Sequence, residues 1–254
     1  MKCFAKLVTV CLSLFICSSA FAQDYETENS IINLTPRIWY SYVNLSSEDY
    51  SSTEMFALPL YGATLAVTPR STPNWHYLLT GLYGEGDGET VSAYGNGKRD
   101  VERLDIELLA RYNFPGRNFS LFVGPRYVKF DQTLNVPSFT TDLQSKIYIF
   151  ELGLGTHADL TEDGRHRLFG NFTLGLGRLE WDYSDSDGLT SSDSYFAPAI
   201  DFNTGYQYAI TASTNVSLRY RLFSIVTKPE VASGYEQKKL ETIHGPELTF
   251  TVAF

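Results

Sequence analysis

Apolar and polar side chains alternate with a period of two up to the last residue of this 254-residue chain. Every second residue, read back from the terminus, is apolar: Phe254, Val252, Phe250 and Leu248. The residues between them are small or polar: Ala253, Thr251, Thr249 and Glu247. Successive side chains of a β-strand point to opposite faces, so the pattern predicts an amphipathic strand at the end of the chain.

The same alternation recurs in inner segments, at 104–112, 148–154, 200–208 and 216–222. A water-soluble β-sandwich alternates as well, with its apolar face inside and its polar face in water. Here the polar face is a mixture of arginine, carboxylates and glycine. That mixture favours the narrow interior of a barrel, where opposite charges pair and small residues relieve crowding.

Turn-forming residues divide the chain into ten predicted strands, although the pattern is also compatible with eight or twelve. The strands are predicted at 33–44, 53–67, 74–84, 100–113, 118–130, 144–158, 166–181, 195–211, 214–227 and 239–254. The links from even to odd strands are short and rich in turn formers, whereas the links from odd to even strands are longer and polar. This parity is typical of an all-β, antiparallel, up-and-down transmembrane β-barrel, with both termini at the end that has the short turns.

The second predicted strand has apolar residues on both faces. Leu58 and Leu60 lie on one face, whereas Tyr61 and Leu65 lie on the other. An extra residue in the strand would produce such a change of face, so we expect a β-bulge near Pro59.

The first residues of the chain predict a secretory signal that is removed on export. Two lysines precede an apolar stretch at 7–16 and an A-x-A cleavage pattern at 20–22. We therefore assign 1–22 to a signal peptide and 23–254 to a single barrel domain. All three cysteines lie within the signal and lack the context of a lipid-modified cysteine, so we expect no thiol, disulfide or lipid anchor in the exported chain.

Charge and composition exclude several classes of protein. The net charge of −9 argues against nucleic acid as a partner. No apolar window of about 18 residues follows the signal, so membrane-spanning helices are not expected. Aromatic residues make up 15% of the chain, with 17 tyrosines and 17 phenylalanines, as in a barrel with two interfacial aromatic girdles.

An exported chain that ends in an amphipathic strand with a terminal phenylalanine resembles the single-chain β-barrels of the Gram-negative outer membrane. The resemblance implies an outer-membrane location, with outer-membrane lipid and lipopolysaccharide as neighbours. It also implies that Phe254, Val252 and Phe250 form the signal that the barrel-assembly machinery recognises. It does not identify a functional subfamily, because small barrels serve many functions. A soluble periplasmic sandwich is the alternative fold.

A set of charged residues is predicted to face the lumen of the barrel. It comprises Arg37, Arg103, Asp105, Glu107, Arg111, Arg126, Glu151, Asp201, Arg219, Arg221 and Glu247. These residues either line a polar conduit or pair with one another and fill the interior, since unpaired charges in a dry lumen are costly. We favour the filled interior, because open aqueous channels are formed by barrels of about 16–18 strands.

The four histidines are the candidate general bases of a surface hydrolase, an activity found in ten-stranded barrels that resemble omptin proteases. His76, His157 and His166 adjoin short turns, so we expect them at the periplasmic end, away from an omptin-like site. His244 is expected near the outer end, close to Glu241. A hydrolase needs its base within hydrogen-bond reach of a nucleophile, and the sequence displays no such pair, so we assign no catalytic residue.

Two acidic segments, 84–89 and 182–194, are predicted to lie in outer loops. Their carboxylates, above all Asp185 and Asp187, are oxygen ligands of the kind that Ca²⁺ prefers. The spacing of an EF-hand loop is absent, so we favour solvated loops that bind divalent cations weakly, without a specific metal site or a cofactor.

Three functions are compatible with these features. We favour a non-enzymatic outer-membrane barrel with a charge-plugged lumen and a structural or binding role through its extracellular loops. The alternative is a narrow, porin-like channel or port for small solutes, whose selectivity would depend on Arg126 and Arg219. The third is an omptin-like or lipid-modifying surface hydrolase that depends on His244.

Overall fold

The computed structural model describes residues 29–47, 50–92, 95–137, 139–227 and 239–254. These residues form ten β-strands in chain order. The strands are β1 (Ser30–Ser47), β2 (Tyr50–Pro69), β3 (Trp75–Ser92), β4 (Gly95–Asn113), β5 (Phe119–Val136), β6 (Phe139–Asp159), β7 (His166–Asp185), β8 (Thr190–Ala209), β9 (Thr214–Thr227) and β10 (Lys239–Ala253). The predicted signal peptide and its cleavage site lie outside the described residues.

The strands form one closed barrel in which each strand pairs antiparallel with its neighbours in sequence. β1 and β10 close the barrel, and the backbone N–H of Phe254 donates to the carbonyl of Ile32 at 2.8 Å. The predicted up-and-down barrel of ten strands is therefore confirmed. No helix in the described part of the chain is long and apolar enough to cross a membrane.

The two ends of the barrel differ in their connections. At one end, which we call the turn end, the links are short: 70–74, 114–118, 160–165 and 210–213. In the link at 160–165, the Thr161 hydroxyl and the backbone N–H of Arg165 donate to the Asp163 carboxylate at 2.6 and 3.1 Å, and these hydrogen bonds hold the pKa of Asp163 below its usual range. Both ends of the described barrel sequence, Ser30 and Phe254, lie at the turn end.

The opposite end, which we call the hairpin end, differs from the prediction. β3 and β4 stay paired up to Ser92 and Gly95, and β5 and β6 stay paired up to Val136 and Phe139. The expectation of long loops was wrong for the residues that the structure describes here, because most of them belong to extended strands. A strand that extends into solvent keeps its backbone ladder while its faces become polar. Residues 48–49, 93–94, 138 and 228–238 at this end lie outside the described residues.

The outward face of the barrel has an apolar band. Leu108, Leu152 and Leu174 are about half exposed within it. Aromatic residues lie toward both of its edges, and Tyr127 packs against Tyr148 on the hairpin side with ring centroids 5.2 Å apart. Beyond these tyrosines β5 and β6 have the charged outward residues Lys129, Asp131 and Lys146. This arrangement is the one expected of a barrel surrounded by lipid.

The hairpin half of the interior is also apolar, which explains the unusual pattern of the second strand. Leu58 and Leu60 point inward and are fully buried, whereas Leu65 points outward. The register between β1 and β2 runs without a shift through Pro59, which pairs with Tyr40. The expected bulge was therefore wrong. Apolar residues occur on both faces because β2 faces an apolar core on one side and the apolar band on the other.

Glycine makes this close packing possible on the neighbouring strand. A Cβ atom on Gly84 would lie 2.1 Å from the carbonyl oxygen of Pro59 and 2.8 Å from Cδ2 of Leu60, whereas one on Gly81 would have no neighbour within 4 Å. We expect Gly84→Ala to lower the free energy of unfolding by about 1–3 kcal/mol, because backbone cannot move away as a flexible side chain can. Gly81→Ala is the matched control and should change stability by less than about 0.5 kcal/mol.

Urea titrations of both variants in detergent, followed by circular dichroism, measure these changes. Equal stability of the Gly84 and Gly81 variants would contradict the close approach of β2 and β3.

Candidate functional site

The interior of the barrel is divided along its axis into three regions. On several strands that have a lumen charge, the next inward residues toward the hairpin end are apolar, as with Val128 and Phe130 after Arg126. We call this region the apolar core: Trp39, Val43, Phe56, Leu58, Leu60, Leu82, Val101, Val128, Phe130, Ile147, Ile149, Leu179, Ala197, Ala199, Phe223, Ile225 and Ile243. Below it lies a layer of paired charges, and below that a polar cavity extends toward the turn end.

Arg126 is the centre of the charge layer. Its Nε and Nη2 donate to the two oxygens of Asp105 at 2.8 and 2.6 Å, and its Nη1 donates to Asp201 at 2.8 Å and to Glu151 at 3.2 Å. The guanidinium carbon lies 3.8 Å from the ring centroid of Phe223. One buried cation therefore pairs with carboxylates from three other strands, with an aromatic ring of the apolar core above it.

Two further groups of ion pairs surround this centre. Arg221 donates through Nε and Nη2 to Asp201, and its Nη2 lies 3.9 Å from Glu107. Glu247 accepts from Arg37 at 2.6 Å and from Arg219 at 2.7 and 2.9 Å. These residues come from β1, β4, β8, β9 and β10, so the ion pairs connect both sides of the closing seam.

The hydrogen bonding of Arg103 is less complete than that of Arg126. It donates to Asp105 at 3.2 Å, and its Nη1 lies 3.5 Å from Glu241, beyond good hydrogen-bond geometry. Its Nε and Nη1 and the Oε2 of Glu151 are buried without a hydrogen-bond partner among the described residues. Sequence reasoning named Glu241 only as a neighbour of His244 and did not include it among the lumen charges, although the alternation of β10 places it on the same face as Glu247.

The ring of Trp39 is the part of the apolar core that lies against the charge layer. Its Nε1 donates to the carbonyl of Gly245 at 3.2 Å, and the guanidinium of Arg221 lies 5.0 Å from its ring centroid. The side chain is fully buried. The sequence did not identify Trp39 as an interior residue with this role, because an isolated tryptophan in an alternating strand has no distinguishing signal.

Arg111 is the one member of the predicted set that the structure places apart from the ion pairs described above. It lines a cavity of about 310 Å³ on the turn side of the charge layer, which we call the vestibule. Its Nε donates to Asn113 at 2.9 Å, and its guanidinium lies over the Phe122 ring at 5.5 Å. Among the described residues it has no carboxylate partner.

The histidines occupy different positions from those of a hydrolase site. His244 faces outward, where its Nδ1 lies 2.6 Å from the Tyr220 hydroxyl, whereas the ion pair of Glu241 with Arg103 is inside. His244 and Glu241 are close in sequence, as expected, but their side chains do not meet. Odd and even residues of a strand face opposite sides. His76 and His157 lie near the turn end, in accordance with their position in the sequence.

The acidic segment at the β7–β8 link forms a tight turn. Oδ1 of Asp185 accepts from the backbone N–H groups of Asp187 and Leu189 at 3.0 and 2.9 Å, and Oδ2 accepts from the Tyr183 hydroxyl at 3.2 Å. Asp185 is thus engaged in stabilising the turn. In the described ranges, no three histidine, cysteine or carboxylate side chains are grouped closely enough to hold a metal ion.

Comparisons with known proteins identify a shared fold but no sequence relative. No protein-family model matches the chain, and no curated protein matches it in sequence. The outer membrane protease OmpT from Escherichia coli has a similar structure, with a TM-score of 0.58 and 8% identity over 91% of this chain and 98% of that chain.

Two other structures are similar over most of their length but less closely. The translocator domain of the autotransporter NalP from Neisseria meningitidis has a TM-score of 0.48 and 7% identity, with 98% of each chain covered. A major outer membrane protein from Thermus thermophilus has a TM-score of 0.43 and 12% identity over 89% of this chain and 99% of that chain. At such identities a similar structure indicates the fold and does not transfer an activity.

Proposed function

We propose that this chain, which has the fold of the outer-membrane β-barrels, is an integral outer-membrane protein with a closed lumen and no enzymatic activity. It has a structural or binding role through the hairpins that extend beyond the apolar band. In this orientation the turn end faces the periplasm and the hairpin end faces the outside. The segment 1–22 directs export, and the barrel-assembly machinery recognises Phe254, Val252 and Phe250.

The filled interior is the observation that supports this proposal. Trp39, Phe130 and Phe223 are at most 1% exposed and lie directly on the hairpin side of the charge layer. An ion that crossed the barrel would have to pass through both the buried apolar core and the layer of paired charges. Either barrier alone is costly, because a charge loses its hydration in the first and must break buried ion pairs in the second.

The outer surface supports contact with lipid and lipopolysaccharide. Lys129 and Lys146 face outward from adjacent strands and pair directly in register, just beyond the aromatic pair of Tyr127 and Tyr148. Each lysine also has an acidic neighbour, Asp131 at 2.5 Å and Asp182 at 3.7 Å respectively. Mixed charges at this level are suited to lipid phosphates and to the divalent cations that bridge them.

We do not propose a surface hydrolase. The protease activity named for OmpT belongs to that protein, with which this chain shares 8% identity. The histidine nearest the outer end, His244, faces away from the interior and bonds to Tyr220.

We expect the protein, purified from membranes and inserted into a planar bilayer, to give no discrete current steps. A conducting porin added afterwards to the same bilayer verifies that the membrane would have reported a channel. A heat-dependent shift in gel mobility and protection of the barrel from protease in liposomes verify that the protein is folded and inserted.

Discrete and reproducible current steps would overturn the closed lumen and support the narrow channel instead. In that case Arg126→Gln or Arg219→Gln should change the ratio of anion to cation permeability, since both side chains would then border the conducting path.

A further inference from the structure

The vestibule is a second interior feature that the closed lumen does not explain. Its wall is rich in inward-facing hydroxyl and amide side chains: Thr35, Thr173, Thr251, Asn171, Asn203 and Gln207. They lie in the turn-side halves of β1, β7, β8 and β10. A polar cavity of about 310 Å³ that opens at one end of a barrel has the size of a site for a small molecule.

Arg111 is held in one orientation by a series of side chains. Its Nε donates to Oδ1 of Asn113 at 2.9 Å, and Nδ2 of Asn113 donates to Nε2 of His76 at 2.7 Å. Nδ1 of the same histidine lies 2.6 Å from the Thr68 hydroxyl. These contacts leave both terminal nitrogens of the guanidinium without a hydrogen-bond partner among the described residues. An arginine with this arrangement is pre-organised for a bidentate contact with an anion.

The charges around Arg111 do not neutralise it. Arg167 borders the same cavity, and its Nε is engaged by Asp159 at 2.6 Å. Arg219 and Arg221 border the far end of the cavity, and both are engaged by carboxylates of the charge layer. Arg111 is therefore the cation of the vestibule that lacks a compensating carboxylate among the described residues. Half-buried charge without a partner is unfavourable, and an anionic ligand would compensate it.

We propose that the vestibule is a binding site for a small, hydroxylated organic anion that enters from the turn end. The carboxylate or phosphate group of the ligand binds the terminal nitrogens of Arg111. Its hydroxyl groups bond to the hydroxyl and amide side chains of the wall. An acidic sugar or a sugar phosphate has this combination of groups. A guanidinium binds carboxylate and phosphate groups in the same way, so one probe of each kind is needed to distinguish them.

Isothermal titration of the full barrel in detergent tests the proposal, with glucuronate and glucose 6-phosphate as probes and glucose as the neutral control. We expect saturable binding of at least one anionic probe and none of glucose. Arg111→Gln should weaken that binding by about 10- to 100-fold, the usual effect of losing a charge-assisted pair of hydrogen bonds. Preference for one anionic probe identifies the ligand group as carboxylate or phosphate.

Arg165→Gln is the matched control, because it removes the same charge at the same end of the barrel from outside the vestibule. Its closest carboxylate is Asp163 in the turn, at 3.5 Å. We expect this variant to bind within about twofold of the wild type, since exposed charges are screened by salt. Equal weakening by both variants, equal binding of glucose, or no saturable binding of either anion would overturn the proposal.

A measurement on the wild type keeps the proposal testable if the Arg111 variant does not fold. The side-chain Nε–H resonance of Arg111, observed by NMR with ¹⁵N-labelled arginine, should shift on titration with the anionic probe and not with glucose. An unchanged resonance would contradict binding at this residue. The site does not require a closed outer end, so current steps in the bilayer experiment would leave this proposal intact.

Discussion

Replacement of Arg126 by methionine is expected to lower the free energy of unfolding of the barrel by at least about 3–5 kcal/mol. The substitution preserves much of the side-chain volume but leaves Asp105, Glu151 and Asp201 buried without their shared cation. Asp201 retains Arg221, and Asp105 retains the longer contact with Arg103. Glu151 has no other hydrogen-bond donor in the described part of the chain. A urea titration in detergent, followed by circular dichroism, measures the loss.

Arg178→Met is the matched control for the loss of one arginine. This residue faces outward, its side chain is 65% exposed, and its contact with Glu180 is 3.4 Å long. Exposed ion pairs contribute little, so we expect a change below about 1 kcal/mol. The double variant Arg126→Met with Glu151→Gln should recover part of the stability, because it removes the carboxylate that depends most on Arg126. If Arg126→Met were as stable as Arg178→Met, the central role of Arg126 would be wrong.

Replacement of Trp39 by alanine is the second change with a large expected effect. The fully buried indole fills the end of the apolar core that lies against the charge layer, and its loss should lower the free energy of unfolding by about 3–5 kcal/mol. Part of that cost is lost apolar burial, and part is the cavity that remains, since the rigid barrel wall cannot collapse into it. The same urea titration measures the effect.

Trp39→Phe separates the two contributions of Trp39 to stability, the volume that the ring fills and the hydrogen bond that it donates. Phenylalanine keeps an aromatic ring in the gap but cannot donate to the carbonyl of Gly245, so we expect a smaller loss of about 1–2 kcal/mol. Equal destabilisation by alanine and phenylalanine would show that the hydrogen bond, rather than the filling of space, is the principal contribution of Trp39.

Alternation predicted the barrel and the face of each strand, because the side-chain period of a strand is a local property of the backbone. In β4, the sequence from Leu104 to Tyr112 was sufficient to place Asp105 and Glu107 on the opposite face from Leu108. The same reasoning predicted ten strands and the short turns. The ends of the strands were predicted less well. At the hairpin end, polar residues were interpreted as loops, whereas the structure has them in paired strands.

The interior was predicted only in part. Charged residues identified the lumen face of several strands, but Phe56, Leu58 and Leu60 were not expected to fill it. Apolar residues inside a membrane barrel have no distinct local signal, because the outward face of the same strand is apolar for a different reason. His244 and Glu241 were expected to lie together, although their even and odd positions already place them on opposite faces.

The sequence by itself determined the strand order, the closed antiparallel topology and the division between inward and outward residues, since these depend on a period of two and on short links. Only the tertiary structure decided which inward residues meet. Arg126 and Asp201 are 75 residues apart and come from β5 and β8, and they bond because the closed barrel is narrow enough for side chains to reach across it. The stagger between strands sets the depth of each residue, so it also decided that Arg111 borders the vestibule while Arg126 lies within the charge layer.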